Sequence, residues 1–179
     1  MRPAAKSRSR APHEDVILFA VNGTRFAIAA NAVDEIRNME GLSPFKATVS
    51  PAKFAKVKHT LVRDKKDRDA IYFVVDANAH FRVAQSKSNR LLVLRNTRVA
   101  VLVDSIDRMT QIANVYSLPL AFTGEERNWY RGLAIVEDAV VPVVYAECFL
   151  SKGEVAVLQA STAQGTAAAM AARKGAATA

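Results

Sequence analysis

The sequence predicts a mainly all-β protein made of two small barrels, and three observations support that class. The apolar content lies in short runs rich in Val, Ile and Leu, which suit β-strands. An Asn-Gly pair at positions 22–23 separates two such runs and is a strong hairpin signal. A stretch of the chain also recurs about 70 residues further on, which indicates two units of one design. Many short strands with turns between them favour barrels over a parallel α/β sheet.

Composition limits the class of fold and the cellular compartment that can be expected for this protein. Half of the 179 residues are hydrophobic and 23% are charged, so the body of the chain can bury a core. The single cysteine, Cys148, has no internal partner for a disulfide. No apolar run approaches the length of a transmembrane helix, and no apolar segment follows the basic start as a secretory signal would require. The sequence therefore predicts a cytoplasmic protein without membrane insertion.

The first elements are predicted to be a hairpin and a helical turn. Residues 15–21 and 24–30 have strand patterns on either side of the Asn-Gly pair. Within 31–37, apolar residues fall at helical spacing after Asn31, which suits an N-cap, so this segment predicts a single helical turn. The charged run 63–69 is predicted to be an exposed loop.

The later elements follow a similar order. A buried strand is predicted over 70–76, and a short helical turn within 78–83. A second hairpin is predicted from strands over 90–95 and 97–103, and a second polar-apolar turn over 104–109.

The repeat links these two series of elements. Residues 24–36 align with 97–109 without a gap: both begin Thr-Arg, and both end in an apolar-Asp-x-apolar pattern. A weaker similarity relates 74–77 to 143–146. Each half is small for an independent core, so the halves are predicted to share one.

The ends of the chain differ in composition from its centre. A helix is predicted to begin near Tyr145 and to extend through 154–159, and the rest of the tail has almost no large apolar residue. The predicted organisation is a flexible basic arm over 1–14, one domain over 15–150 with halves at about 15–84 and 90–150, and an Ala-rich helical or disordered tail over 151–179.

The net charge of +8 leaves one alternative function open. Much of it lies in the arm and in residues 46–68. Such blocks can bind nucleic acid or an anionic surface, so a β-barrel module with a basic binding arm is the alternative. The basic stretches lack interleaved aromatic residues and an RNA-binding motif, which favours a solvated arm and loop instead.

The titratable residues do not form a catalytic or metal-binding pattern. The histidines and the cysteine lack the spacing of metal ligands and are interpreted as structural or surface residues. They are His13, His59, His80 and Cys148. Three aspartates follow strands, where Asp commonly caps the next turn. They are Asp76, Asp104 and Asp107. No glycine-rich phosphate-binding motif is present. The sequence therefore predicts no catalytic site, metal, cofactor or small-molecule substrate.

The adjacent Trp129 and Tyr130 have two interpretations. Aromatic residues are enriched at binding hot spots, which favours a binding patch. A large ring can equally well plug one end of a barrel.

Several motifs, in order along the chain, resemble the CheW family of chemotaxis coupling proteins. The first hairpin and its turn read ILFAVNGTRFAIAANAVDEIRN, and the second half begins RLLVLRNTRVAVLVDSIDRM. The sequence FVVDANAHF lies between them, and an aromatic-x-x-Gly-Leu step at 129–133 and the closing VVPVVYAECFL follow. The resemblance covers residues 16–150 and depends on the ordered set of motifs.

This resemblance implies two intertwined SH3-like five-stranded β-barrels with a groove between them, short helical turns and a C-terminal helix. It also implies a non-enzymatic adaptor that couples the regulatory domain of a CheA-type histidine kinase to the tip of a methyl-accepting chemoreceptor. By position, the implied partner-binding residues are Val33, Glu35, Ile36, Arg63 and Leu91.

Overall fold

The computed structural model describes residues 13–45, 52–65 and 68–162. Within these residues the chain forms eleven strands, a short helix α1 at Ala77–Phe81 and a helix α2 over 152–162. The strands are β1 Glu14–Val21, β2 Thr24–Ala29, β3 Val33–Asn38, β4 Leu42–Pro44, β5 Val57–Lys65, β6 Arg68–Asp76, β7 Arg90–Leu94, β8 Val99–Val103, β9 Ser105–Ile112, β10 Tyr130–Val136 and β11 Ala139–Val144. Short 3-10 turns lie at Ala30–Ala32, Ala52–Phe54, Glu125–Asn128 and Ala146–Cys148.

The strands form two sheets, which confirms the predicted all-β class. The first has the order β10-β11-β2-β1-β9, and we call it barrel A; the second has the order β3-β7-β8-β6-β5-β4 and is barrel B. In barrel A the end strands β9 and β10 contact each other. Each barrel contains one parallel pair, β11 with β2 and β6 with β8. The short β4 adds a sixth strand to the five that correspond between the barrels.

The two barrels are intertwined because each of two strands crosses from one to the other. Strand β3 follows β2 along the chain but pairs with β7 in barrel B. Strand β9 follows β8 but pairs with β1 in barrel A. Each sequence half therefore contributes strands to both barrels.

The sequence repeat corresponds to matching places in the two sheets. Ala27 aligns with Ala100 in the repeat. Ala27 lies in β2 and Ala100 in β8, and each of these strands has a parallel neighbour. Val143 pairs with Ala27, and Val74, its counterpart in the weaker repeat, pairs with Ala100. The similarity found in sequence therefore reflects an equivalent strand register.

Both faces of the central strands are buried, which explains their continuous apolar runs. In β1 the residues Val16 and Leu18 belong to a cluster inside barrel A, while Ile17 and Phe19 belong to a larger cluster between the sheets. A third cluster, which includes Leu91, lies inside barrel B. Alternate side chains thus fill one barrel and the shared core in turn.

The Asn-Gly hairpin is confirmed in detail. Asn22 and Gly23 form a two-residue connection between β1 and β2, with φ of 46° and 76°. Two positive φ values in succession match the right-handed twist of the flanking strands, and this is why Asn-Gly is favoured here.

Two predicted helical turns are wrong. Residues 31–37 were predicted to be a helical turn, but only Ala30–Ala32 are helical and Val33–Asn38 form β3. The Asn31 side chain does not cap this turn. Residues 104–109 likewise enter β9 at Ser105. In both segments, pairing with a distant strand outweighs the local helical spacing.

The charged run is also not a loop. Most of it belongs to the β5–β6 hairpin, in which Arg63 pairs with Ala70, and residues 66–67 lie outside the described part. The closing helix begins at 152 rather than near Tyr145, because Ser151 and Glu154 cap each other's backbone N–H groups at 3.2 and 2.8 Å. The helical turn predicted within 78–83 is confirmed by α1.

Both ends of the chain extend past the described residues. Residues 1–12 of the basic arm and 163–179 of the tail lie outside them. No helix among the described residues is long and apolar enough to cross a membrane.

Candidate protein-binding surfaces

An ion-pair cluster joins β3, one edge strand of barrel B, to β5 on the other side of the sheet. Arg63 on β5 donates a hydrogen bond to Asp34 Oδ2 at 2.8 Å and lies 2.9 Å from Glu35 Oε2 on β3. In the strand order, β3 and β5 lie at opposite sides of the sheet, so this contact closes the barrel. The Arg63 side chain is only 17% exposed, and its hydrogen bond to Asp34 is the largest cause of its raised pKa. We call this cluster seam B.

An apolar patch lies on the outer face beside seam B. Neighbours along a strand point to opposite faces, so Val62 and Ile36 point away from the ion-paired Arg63 and Glu35. Val62 is 51% exposed and Ile36 is 46% exposed. Ile71 is paired with Val62 across the hairpin and is also exposed. We define patch B as Ile36, Val62 and Ile71.

Barrel A has an equivalent patch. Ile135 and Val140 are paired across the β10–β11 hairpin and are 58% and 65% exposed. Met109 on β9 is 66% exposed, and it aligns with Ile36 in the sequence repeat. Extending the weaker repeat three residues back along β6 and β11 likewise places Val140 at the position of Ile71. We define patch A as Met109, Ile135 and Val140.

Ion pairs also hold the edge of barrel A, with different geometry. Glu137, in the turn between β10 and β11, binds Arg108 on β9 and accepts a hydrogen bond from Arg25 at 3.3 Å. Arg25 lies 3.5 Å from Asp107 as well. These side chains are about half exposed, and the hydrogen bond from Arg108 is the largest cause of the lowered pKa of Glu137. We call this cluster seam A.

The five residues predicted to bind a partner all lie in barrel B, at different depths. Glu35, Ile36 and Arg63 reach the surface at or beside seam B. Leu91 is fully buried inside the barrel, and Val33 is 6% exposed in the shared core. The last two can support the surface from beneath, because neither presents its side chain to solvent.

The sequence-based prediction missed patch A as well as Val62 and Ile71. The repeat carried the signal for patch A, because Met109 occupies the position of Ile36. The pairing of Val62 with Ile71 depends on the β5–β6 hairpin, which was predicted to be a loop.

Aromatic rings surround His80 at the centre of the molecule. Its ring lies 4.8 Å from that of Trp129 and 4.9 Å from that of Phe149, between ring centroids. Burial lowers the pKa of His80 to about 3, with smaller contributions from Lys56 and Arg82. Burial also raises the pKa of the Cys148 thiol. His80 and Cys148 are thus uncharged near neutral pH, as expected of structural residues.

Trp129 packs against the edge of the shared core. The Arg82 guanidinium group lies over the Trp129 ring, 5.8 Å from the ring centroid. Trp129 is partly exposed. This position favours the packing interpretation, and the exposed edge of the ring is accessible to a partner.

Two of the aspartates that follow strands hold the linker between the halves. Asp76 accepts a hydrogen bond from the Asn78 backbone N–H at 2.9 Å, which caps α1, and another from Gln85 at 3.0 Å. Asp104 accepts hydrogen bonds from the Asn22 backbone N–H and from the hydroxyl groups of two linker serines. Burial alone would raise the pKa of Asp104, but these hydrogen bonds outweigh it and lower the pKa. Among the described residues, no group of His, Cys, Asp and Glu is suited to hold a metal ion.

These features define a class of two-barrel binding module, in which one shared core supports two separate exposed patches. Comparison with known proteins identifies the family. The chain belongs to the CheW-like domain family, whose sequence model matches residues 15–154. Members of this family are non-enzymatic scaffold proteins of chemotaxis-type signal transduction.

A solved structure supports the same fold. The chain is similar to the scaffolding protein TtCheW from Thermoanaerobacter tengcongensis, with a TM-score of 0.62 and 15% sequence identity. The match covers 80% of this chain and 97% of the other. No curated protein sequence matches the chain significantly.

Proposed function

We propose that this protein couples the regulatory domain of a CheA-type histidine kinase to the tip of a methyl-accepting chemoreceptor. An adaptor of this kind needs two separate docking surfaces on one rigid body. The observation that supports the proposal best is the presence of patch A and patch B at equivalent places on the two barrels. Exposed apolar patches on a folded domain commonly mark protein interaction sites.

Patch B is the proposed receptor-binding surface. The residues that the family resemblance implies for this role lie in barrel B, and Ile36 belongs to the patch itself. A receptor tip is a helical coiled coil, and exposed apolar side chains beside charged groups can hold a helix and set its register. Patch A is then the surface proposed for the kinase.

Ile36→Asp tests the receptor contact. The side chain is 46% exposed, so we expect the thermal midpoint to change little. A charge at the patch should weaken binding of a purified receptor-tip fragment by about tenfold or more, measured by titration calorimetry. Reversal of charge at Glu35 is a less specific test, because Glu35 contacts Arg63 and its reversal would also weaken seam B.

The matched control is Met109→Asp, at the corresponding position in patch A. It should weaken binding of the kinase regulatory domain and leave receptor-tip binding unchanged. The coupling role would be rejected if the wild-type protein bound neither fragment. Equal effects of the two substitutions on both partners would reject the assignment of one patch to each.

A further inference from the structure

A groove beside the β7–β8 turn is lined by several positively charged side chains, and none of them belongs to seam A or seam B. It encloses about 720 Å³ between that turn, the end of β11 and the start of α2. Its cationic lining residues are Arg95, Arg98 and Lys152, all exposed. Of the described lining residues, Glu147 alone is acidic.

Within the part of the chain that the structure describes, the three cations lack the carboxylate partners that similar groups have elsewhere. Arg98 aligns with Arg25 in the repeat, and Arg25 contacts both Asp107 and Glu137. By contrast, none of the three groove cations forms an ion pair with a described carboxylate. Among the described carboxylates, Arg98 in barrel B therefore has no partner, whereas its counterpart Arg25 in barrel A has two.

Two of these cations are already held in place. The Arg98 guanidinium group lies 5.7 Å from the centroid of the buried Tyr72 ring. Arg95 donates a hydrogen bond to the Val33 carbonyl oxygen at 3.3 Å. A ligand that binds such groups has less side-chain motion to restrict, which favours affinity.

The groove also has an apolar floor. Leu150 is buried, and Val155 and Ala146 are partly buried along the same lining. The apolar floor and the cationic rim together suit a peptide segment that has acidic side chains and an apolar anchor. A nucleic-acid duplex is a poorer fit, since duplex-binding proteins typically neutralise about six or more phosphates.

We propose that this groove binds an acidic peptide segment of a partner protein, as a third contact separate from patches A and B. The chain's own ends do not match this chemistry. Residues 1–12 contain four cations and residues 163–179 contain two, and neither range has an Asp or Glu. Like charges would repel either end from the groove.

The test uses the full chain and a fluorescein-labelled synthetic peptide of Glu residues with Leu anchors. The wild-type protein should raise the fluorescence anisotropy of this probe, and the double substitution R95Q/R98Q should weaken the affinity by about tenfold or more. A peptide with Gln in place of Glu should bind more weakly to the wild type, as should one with Ser in place of Leu. Circular dichroism checks that the variant is folded.

The matched control is R90Q/R127Q, which removes the same charge from two exposed arginines outside the groove. This variant should retain the wild-type affinity, and Ile36→Asp should do the same. No binding by the wild type, or an equal loss in R90Q/R127Q, would overturn the proposal. Equal competition by a single-stranded oligonucleotide would show a general polyanion surface and would also overturn it. None of these outcomes depends on whether the kinase and receptor bind the two patches.

Discussion

Barrel A and barrel B share a strand order but are closed by ion pairs of opposite polarity. In barrel B the acids lie on β3 and the cation on β5; in barrel A the cation lies on β9 and the acid follows β10. Glu35 and Arg108 occupy the same position in the repeat, so the charge at one site has changed sign. The two exposed patches therefore have different charged neighbours, which is a simple way for two similar surfaces to select different partners.

The two halves also contribute different residues to the centre of the molecule. Extending the weaker repeat by three residues places Phe149 at the position of His80, and the two rings lie 4.9 Å apart between centroids. Asp76 corresponds to Tyr145, and only Asp76 has a side chain that caps the following turn. The capped turn is the α-helix α1, whereas the uncapped one is a 3-10 turn, as the energetic value of an N-cap would suggest.

The largest expected effect tests whether the two barrel interiors are equivalent. Leu18 in β1 and Leu91 in β7 are both fully buried, each inside its own barrel. Leu18→Ala and Leu91→Ala should each lower the free energy of unfolding by about 2–5 kcal/mol through the cavity left behind. Urea denaturation should show one transition in each variant, because the barrels share a core. Separate transitions for the two barrels would contradict this expectation.

A pH-dependent effect should distinguish the two halves at the centre. His80 has a pKa of about 3 when folded, below its ordinary value of 6.5, so the unfolded chain takes up the proton first as the pH falls. This group therefore costs stability below about pH 6.5, at about 1.4 kcal/mol per pH unit until about pH 3, and nothing above that range. His80→Phe, which copies Phe149, should remove this contribution. The difference in unfolding free energy between variant and wild type should grow as the pH falls, and parallel pH curves would contradict the expectation.

The smallest expected effect concerns the turns. Glu137 and Asp138 connect β10 to β11 with φ of 51° and 64°, where the first hairpin has Asn22 and Gly23. Asp138→Gly should stabilise the fold by about 0.5–1 kcal/mol, because glycine adopts positive φ without steric cost. Thermal unfolding measures the gain, and Gly23→Asp, with φ of 76° at its position, is the reciprocal control. A midpoint lowered by Asp138→Gly would show that the aspartate side chain has a role that the backbone does not explain.

Local signals allowed part of the fold to be predicted from the sequence. The Asn22-Gly23 turn and the Asp76 cap each depend on a few neighbouring residues. The strand β3 could not be predicted in the same way, because its partner β7 is distant in the chain and its Val and Ile also match helical spacing.

The candidate site was predictable to a similar extent. The family motifs indicated Ile36 and Arg63, but the contact of Arg63 with Asp34 spans 29 positions and follows only from barrel closure. Patch A follows from the repeat once Ile36 is known to be exposed. Its exposure depends on the tertiary structure, which the sequence pattern alone does not provide.

Asp104 makes the crossing from barrel B to barrel A short and well held, and this affects how the two barrels can move relative to each other. It is the only residue between β8 of barrel B and β9 of barrel A, and Asn22, Ser86 and Ser88 hold its carboxylate. So short a connection leaves no room for a hinge at this crossing. The protein should therefore act as a stiff spacer, so that a tilt imposed on one barrel is passed to the other with little loss.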